Sequence, residues 1–356
     1  MTKYKLENIA TLKYGKLPDK NKISAKKTKM NKYPIFTGYK VTGYYPEYIF
    51  SDSEVIVVAR GVGGTGDVKL SPKKAFITNL SIVIQVDKKI VNKKYLQLLL
   101  NSMNLRRLDS GSAQSQITIT HLKSFEVDLP PKDIQDKIAD KISLIERKMQ
   151  LNKQINANLM KLNTLLFQQL SVDSDYTLSN FTDCQNGFAF KSSEYITNNE
   201  LLILRTLNMT SDHLFSKNGV KYISKVYKEK YQKFEFKKFD TTLVMVGASI
   251  GKMALITTNV IPSLQNQNMW RFRSKSKMPG LLIYDMVQYV NDRVRSSATG
   301  SARSFYRKKM FLNSKVPVIS EKYYDIFLAI QEKINNIANE NETLSNLKNV
   351  LLSKYF

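Results

Sequence analysis

The chain has 356 residues, and its 55 Lys and Arg outnumber 30 Asp and Glu for a formal charge of +25, a surplus that speaks to partners and points towards nucleic acid. A single cysteine, Cys184, excludes an intramolecular disulfide framework and fits a reducing cytoplasm; with His121 and His213 alone beside it no His/Cys metal site can form, which leaves carboxylate-only sites open. No apolar run reaches the ~20 residues of a membrane span, and the N-terminus has no apolar signal core, so a soluble cytoplasmic protein is expected.

In chain order, residues 1–129 read as a mixed α/β body. Short β-branched runs, Val55-Ile-Val-Val58 and Ser81-Ile-Val-Ile84, are broken by Gly and Pro turns and followed by a helical segment over 93–105. Lys20, Lys22, Lys26, Lys27, Lys29 and Lys32 crowd one stretch expected to be a mobile loop, either a phosphate-contacting arm or a solvated linker. Pro130-Pro131 opens a first long helix over 130–170, with Ile134, Ile138, Ile142, Ile145, Met149, Ile155, Leu159, Leu162 and Leu166 at spacings mostly of three and four. Residues 171–316 form a second α/β body, with Leu243-Val-Met-Val246, Met269-Trp-Arg-Phe272 and a helical 281–294. Pro317 opens a second long helix, 317–356, striped by Ile326, Ile330, Ile334, Ile337, Leu344, Leu347 and Leu351. Both stripes are narrow, of coiled-coil type, and each is interrupted by an asparagine, Asn152 or Asn341, which either fixes register or is a chance polar residue on a partly open seam.

The two bodies repeat one another. Tyr4-Lys-Leu6-Glu-Asn8-Ile9 with Gly15 returns as Tyr176-Thr-Leu178-Ser-Asn180-Phe181 with Gly187. The run 55–59 ahead of a turn ending at Gly66 returns as 243–246 ahead of Gly251, and Gly111-Ser-Ala-Gln-Ser115 returns as Gly300-Ser-Ala-Arg-Ser304. Markers in one order at drifting offsets are the mark of duplication. The charge follows the repeat. Residues 1–129 hold 22 basic and 10 acidic side chains and residues 171–316 hold 22 and 11, whereas 317–356 hold 4 and 5.

If the two apolar seams satisfy each other, connectivity makes the helices antiparallel. A rod of ~60 Å would then separate the bodies about an approximate two-fold axis, a symmetry matching duplex DNA with two half-sites. The expected fold class is therefore α/β (α+β): two homologous mixed α/β DNA-recognition domains separated by two long antiparallel coiled-coil helices.

The order body, helix, body, helix carries an entry motif Leu-x-x-Ile/Phe with a downstream Gly and a Gly-x-Gly-type turn after a β run. With Gly111-Ser-Ala-Gln-Ser-Gln-Ile-Thr-Ile-Thr-His121-Leu running into Val127-Asp-Leu-Pro-Pro131, it resembles the specificity subunit of type I restriction-modification systems over essentially the whole chain. The second copy departs from that pattern, with Arg303 in place of Gln114 and Val316-Pro317-Val in place of Leu-Pro-Pro. The resemblance implies a non-catalytic reader of an asymmetric bipartite DNA site. Its helices would set the unread spacer and dock two adenine-methylating modification subunits, with restriction (translocase) subunits joining them. S-adenosylmethionine, ATP and Mg would belong to those partners, and no cofactor to this chain. A methylation-only system, or a coiled-coil structural or RNA-binding protein, are the alternatives.

No catalytic residues are expected. Gly61-Val-Gly63-Gly-Thr-Gly66 fits a dinucleotide pattern, but a strand and turn follow it where a helix N-terminus is needed. Gly247-Ala-Ser-Ile-Gly251-Lys252-Met253 is one residue short of a triphosphate loop and ends in Met where a hydroxyl must reach the metal. Glu146-Arg-Lys148 and Glu235-Phe-Lys237 lack an upstream Asp partner. Cations suit phosphates, and Arg, Lys, Asn or Gln suit base edges. The expected DNA contacts are therefore Lys13, Tyr39, Tyr44, Arg60, Ser112 and Gln114 in the first body and Lys191, Arg205, Arg271, Arg303, Tyr306 and Arg307 in the second. For Tyr39 and Tyr44, packing of the turn is the competing role, and Trp270 is expected in the core with Arg271 on the opposite side of its strand.

Overall fold

The computed structural model describes residues 1–61, 64–109, 115–197, 200–297 and 306–356. The chain divides into two compact units, one formed by 1–147 with 347–356 and the other by 148–346.

The first unit opens with β1 (Thr2–Lys5), the single turn α1 (Leu6–Ile9) and β2 (Ala10–Tyr14). There follow β3 (Tyr33–Phe36), β4 (Val41–Tyr45), β5 (Val55–Val58), β6 (Val68–Leu70), β7 (Phe76–Ile77) and β8 (Ser81–Val86). Helix α2 (Lys93–Ser102), the short α3 (Ile119–Lys123), β9 (Glu126–Leu129) and the long α4 (Lys132–Leu170) complete the run. One sheet has the order β2-β8-β5-β6, a second β4-β3-β7, and β9 returns to pair with β1. β5 is apolar on both faces, Val55-Ile-Val-Val58, because both faces are covered: Val55 and Val57 join the core under α2, while Ile56 packs with Phe36, Ile77 and Val83. Helix α2 is capped by Asn92, whose Oδ1 accepts from the Tyr95 amide at 3.0 Å. It stops at Ser102, earlier than its apolar pattern suggests, since Asn104 takes a left-handed conformation (φ 47°).

The second unit repeats this scheme. It contains α5 (Leu178–Phe181), β10 (Thr182–Asn186), β11 (Tyr195–Ile196), β12 (Leu201–Leu204), β13 (Lys221–Ile223) and α6 (Lys228–Tyr231). Then come β14 (Thr241–Val244), β15 (Met253–Leu255), β16 (Ser263–Gln265), β17 (Met269–Ser274), α7 (Gly280–Ser297), α8 (Lys308–Leu312) and the closing α9 (Tyr324–Tyr355). The order β10-β17-β14-β15 matches β2-β8-β5-β6 strand for strand, and the parallel pair β12-β16 matches β3-β7. The duplication extends to single hydrogen bonds. The Gly15 amide donates to Ser81 O and the Gly187 amide to Met269 O, both at 3.1 Å; Gly66 donates to Val58 O at 2.9 Å and Gly251 to Val244 O at 2.8 Å. Gly15 and Gly187 are required because the strand passes against the next chain segment, where a methyl group would fall inside the carbonyl oxygens of Thr78 and Asn266 respectively.

The long helices pair within each unit. In the first, Glu146 of α4 meets Lys348 of α9 at 2.6 Å, and Leu351, Leu352, Tyr355 and Phe356 pack on the core that holds Ile138 and Ile142. In the second, Lys148 meets Glu340 at 3.2 Å, and Met160 and Phe167 share a core with Phe327, Ile330 and Ile334. The start of α4 thus pairs with the end of α9 and its end with the start of α9, the antiparallel arrangement. The seam itself differs from the expected stripe. Beyond Met149, Ile155 and Leu162 lie outside, and the buried positions are Asn152, Asn156, Met160, Asn163 and Phe167. On α9 the outward residues are Ile326 and Leu347, and Phe327, Gln331, Asn335 and Ala338 are buried. Ile155 and Asn156 are neighbours about 100° apart on a helix of 3.6 residues per turn, so which of the two is covered depends on the angular position of the facing helix.

Candidate nucleic-acid interface

In the first unit Arg60, two residues past the end of β5, bridges in antiparallel fashion to Gln116. Asp109 accepts from the Ser115 hydroxyl and from the Gln116 amide, the latter at 2.7 Å. Arg60 is exposed, with its own amide on Leu80 O at 3.3 Å. Tyr39, 59% exposed, leans over Gly64, and the Lys69 ammonium sits 4.1 Å above its ring while reaching Tyr39 O at 3.3 Å. Arg60, Tyr39 and Lys69 therefore surround one turn. Lys13 is exposed on β2 opposite Val83, two strands away from β5. Tyr44 is half-buried in β4 and exchanges backbone hydrogen bonds with Ser24. Ser112 and Gln114 lie outside the described residues, as does Arg303 in the second unit.

The arginines expected as contacts in the second unit are differently placed. Arg271 does face away from Trp270, but it is only 7% exposed: its guanidinium donates to Lys233 O at 3.2 Å and to Glu235 O at 2.8 Å, with Asp240 at 3.9 Å. Asp240 is clasped by Arg273 at 2.7 and 2.6 Å. The side chain of Arg271 thus ties β17 to the segment before β14, because a strand buried on both faces offers a cation only carbonyls and a carboxylate. Arg205 is half-buried and donates to Gly219 O. Tyr306 donates to Asn291 Oδ1 at 2.5 Å, and Asn291 Nδ2 in turn donates to Gly251 O at 3.1 Å, so this tyrosine braces the glycine turn against α7; burial pushes its hydroxyl pKa up. Lys191 and Arg307 are exposed, each at the start of a short helical turn. Trp270 is in the core against Phe272, Tyr306 and Phe311.

The lysine stretch 20–32 is not a free loop. Ser24 extends the edge of β4 by pairing with Tyr44 in both directions (3.0 and 2.8 Å), Asn31 Nδ2 donates to Lys22 O at 2.8 Å, and the Asp19 amide donates to the Tyr45 hydroxyl at 3.3 Å. The stretch expected to be mobile is thus fastened to β4 through small polar side chains.

Neither Gly66 nor Gly251 leads into a helix N-terminus. Gly66 and Gly251, at φ 91° and 84°, lead into strands β6 and β15. Among the described residues no group of three or more His, Cys, Asp or Glu could hold a metal ion, and no helix is long and apolar enough to cross a membrane.

Residues 1–161 match the family model of the type I restriction modification DNA specificity domain. The chain is 30% identical over 119 residues to the type I restriction enzyme HindI specificity subunit of Haemophilus influenzae. That stretch spans 32% of this chain and only 26% of the relative. The crystal structure of a type I restriction-modification system S subunit from M. genitalium superposes with a TM-score of 0.63 at 18% identity, covering 100% of this chain and 96% of the other, a likeness of fold.

Proposed function

We propose that the chain is the DNA-reading, non-catalytic subunit of a type I restriction-modification complex. Each unit would read one half of an asymmetric bipartite duplex site. The observation that carries this reading is the repetition of one sheet, turn and helix scheme in two segments that each hold a large basic excess, 22 against 10 and 22 against 11. Two similar basic bodies fit two half-sites, and differences between their loops fit an asymmetric sequence. In the first unit the turn lined by Arg60, Tyr39 and Lys69 is the candidate contact surface; in the second, Lys191 and Arg307 are the exposed candidates.

The helices would dock two modification subunits, with restriction subunits joining the assembly. Support comes from a second apolar stripe on α4, where Leu151, Ile155, Leu162 and Leu165 are exposed at coiled-coil spacing. S-adenosylmethionine, ATP and Mg would serve those partners in the cytoplasm, where the DNA is. The test is adenine-methylation mapping of the host genome with and without the gene. Loss of methylation at one bipartite motif is the expected result; an unchanged methylome in a strain that expresses all partner subunits overturns the reading.

A further inference from the structure

Six lysines stand between residues 20 and 32 with no Asp or Glu among them, and all six are exposed. Among the described residues none is in an ion pair, although Lys elsewhere in the same unit finds partners, as Lys88 does in Asp52 and Lys93 in Glu54. A solvated linker would be expected to leave its backbone unfixed. Here the backbone is closed on itself and fastened to a sheet edge. Asp19 caps the turn at Asn21 (3.0 Å), Ser24 Oγ donates to Lys26 O at 2.6 Å, Thr28 Oγ1 accepts from the Asn31 amide at 2.9 Å and the Thr28 amide donates to Asn31 O at 3.0 Å. Tyr45, which receives the Asp19 amide, is itself buried against Phe76 at 4.4 Å between ring centroids.

The repeat isolates what is special. Lys16 and Phe188 occupy the same place, each bridging in parallel to the segment before the central strand, at Thr78 and Asn266. From there to the next matching strand the second unit has one lysine, Lys191, and two glutamates, Glu194 and Glu200. Both glutamates are bound, Glu194 by the Tyr231 hydroxyl at 2.9 Å and Glu200 by the Lys225 amide at 2.7 Å. The lysine arm is thus an addition to the shared scaffold, carried by one unit.

Resting on the DNA-reading function above, we propose that the arm 20–32 is a preorganised phosphate clamp of the first unit. It would grip the duplex backbone beside its half-site, supplying affinity without sequence preference. Lysine ammoniums are point charges suited to phosphate oxygens, and a loop already folded loses little entropy on binding. Such contacts register as released counterions, each steepening the fall of log Kobs with log salt by about 0.9.

The experiment uses the full chain and a fluorescein-labelled duplex of mixed sequence, titrated by anisotropy over a series of potassium chloride concentrations. One variant carries Lys26→Gln, Lys27→Gln, Lys29→Gln and Lys32→Gln; a control removes four exposed lysines of α4, α9 and the turn before α9, Lys153→Gln, Lys161→Gln, Lys322→Gln and Lys333→Gln. Circular dichroism melting establishes that both fold. The expected result is a salt slope reduced by about 2 to 4 in the arm variant, at least tenfold weaker binding, and a control close to wild type. An arm variant indistinguishable from the control overturns the clamp and leaves the DNA-reading function standing. A wild-type chain that does not bind duplex at all overturns both.

Discussion

The Asn152 amide donates to the Asn341 carbonyl oxygen across the helix pair at 3.0 Å, and to Glu340 at 2.8 Å. Four residues on, Asn156 is equally buried, 1% exposed, and neither its Oδ1 nor its Nδ2 has a hydrogen-bond partner. The two asparagines should answer substitution in opposite directions. Asn152→Ala is expected to destabilise the second unit by about 1–2 kcal/mol, because Asn341 and Glu340 lose a donor. Asn156→Leu is expected to stabilise it by about 1 kcal/mol or more, since an unpaired amide leaves a dry seam. Urea denaturation followed by circular dichroism measures both; a destabilised Asn156→Leu would mean that the amide has a role in register.

Asp285 of α7 is held by Asn163 and Thr164 of α4, the latter at 2.8 Å, and burial pushes its carboxyl up to about 7 despite these donors. Its folded pKa lies above the unfolded 3.8, so the stability it contributes is complete below the unfolded value and is lost as pH rises to about 7. Comparing Asp285→Asn with wild type across that window, the variant should gain on the order of 1 kcal/mol relative to wild type for each pH unit. A constant difference from acid to neutral pH would contradict the shift.

Glu146 behaves in the opposite sense. Burial raises its carboxyl, but hydrogen bonds from Lys348 and Lys94, at 2.6 and 2.7 Å, outweigh burial and bring it below the usual glutamate value. The stability it confers is present above pH 4.5 and is lost as pH falls through the folded value. Glu146→Gln should therefore cost about 1 kcal/mol at neutral pH, allowing for partial solvent screening, and nothing in acid. Thermal melts at the two pH values supply the comparison.

Phe356 lies 5.1 Å from Tyr95, centroid to centroid, in the core of the first unit. Removing 351–356 strips four apolar side chains from that core. Limited proteolysis is expected to open residues 1–147 in the truncated chain first, and Phe356→Ala alone should cost about 1–2 kcal/mol.

Gly187→Ala sets a methyl group inside the Asn266 carbonyl, a backbone atom that cannot yield without breaking the β10–β17 ladder. A loss of about 3 kcal/mol or more is expected, and similarly for Gly15→Ala at Thr78. Melting temperatures of the two variants check the equivalence of the repeats.

The duplication, the helix entry at Pro131, the glycines at 15, 187, 66 and 251 and the segregation of charge were all legible in the linear chain. They depend on local geometry and composition, which a sequence carries at each position. The second long helix, expected from Pro317, begins only at Tyr324 because Val316 and Val318 are drawn into backbone hydrogen bonds with Tyr176 and Val172. Three further matters were decided only in the folded chain. Which helix face is covered depended on the facing helix, so Ile155 stands outside and Asn156 inside. Which arginines are free depended on where carbonyls converge, so Arg271 and Arg205 are taken up by Lys233, Glu235 and Gly219 while Arg60 is exposed. Whether the lysine stretch is loose depended on β4, a strand distant enough in sequence that Ser24 and Asn31 could not announce their partner. In each case the energy comes from satisfying a polar group or covering an apolar one against a segment elsewhere in the chain, and periodicity holds no record of that segment.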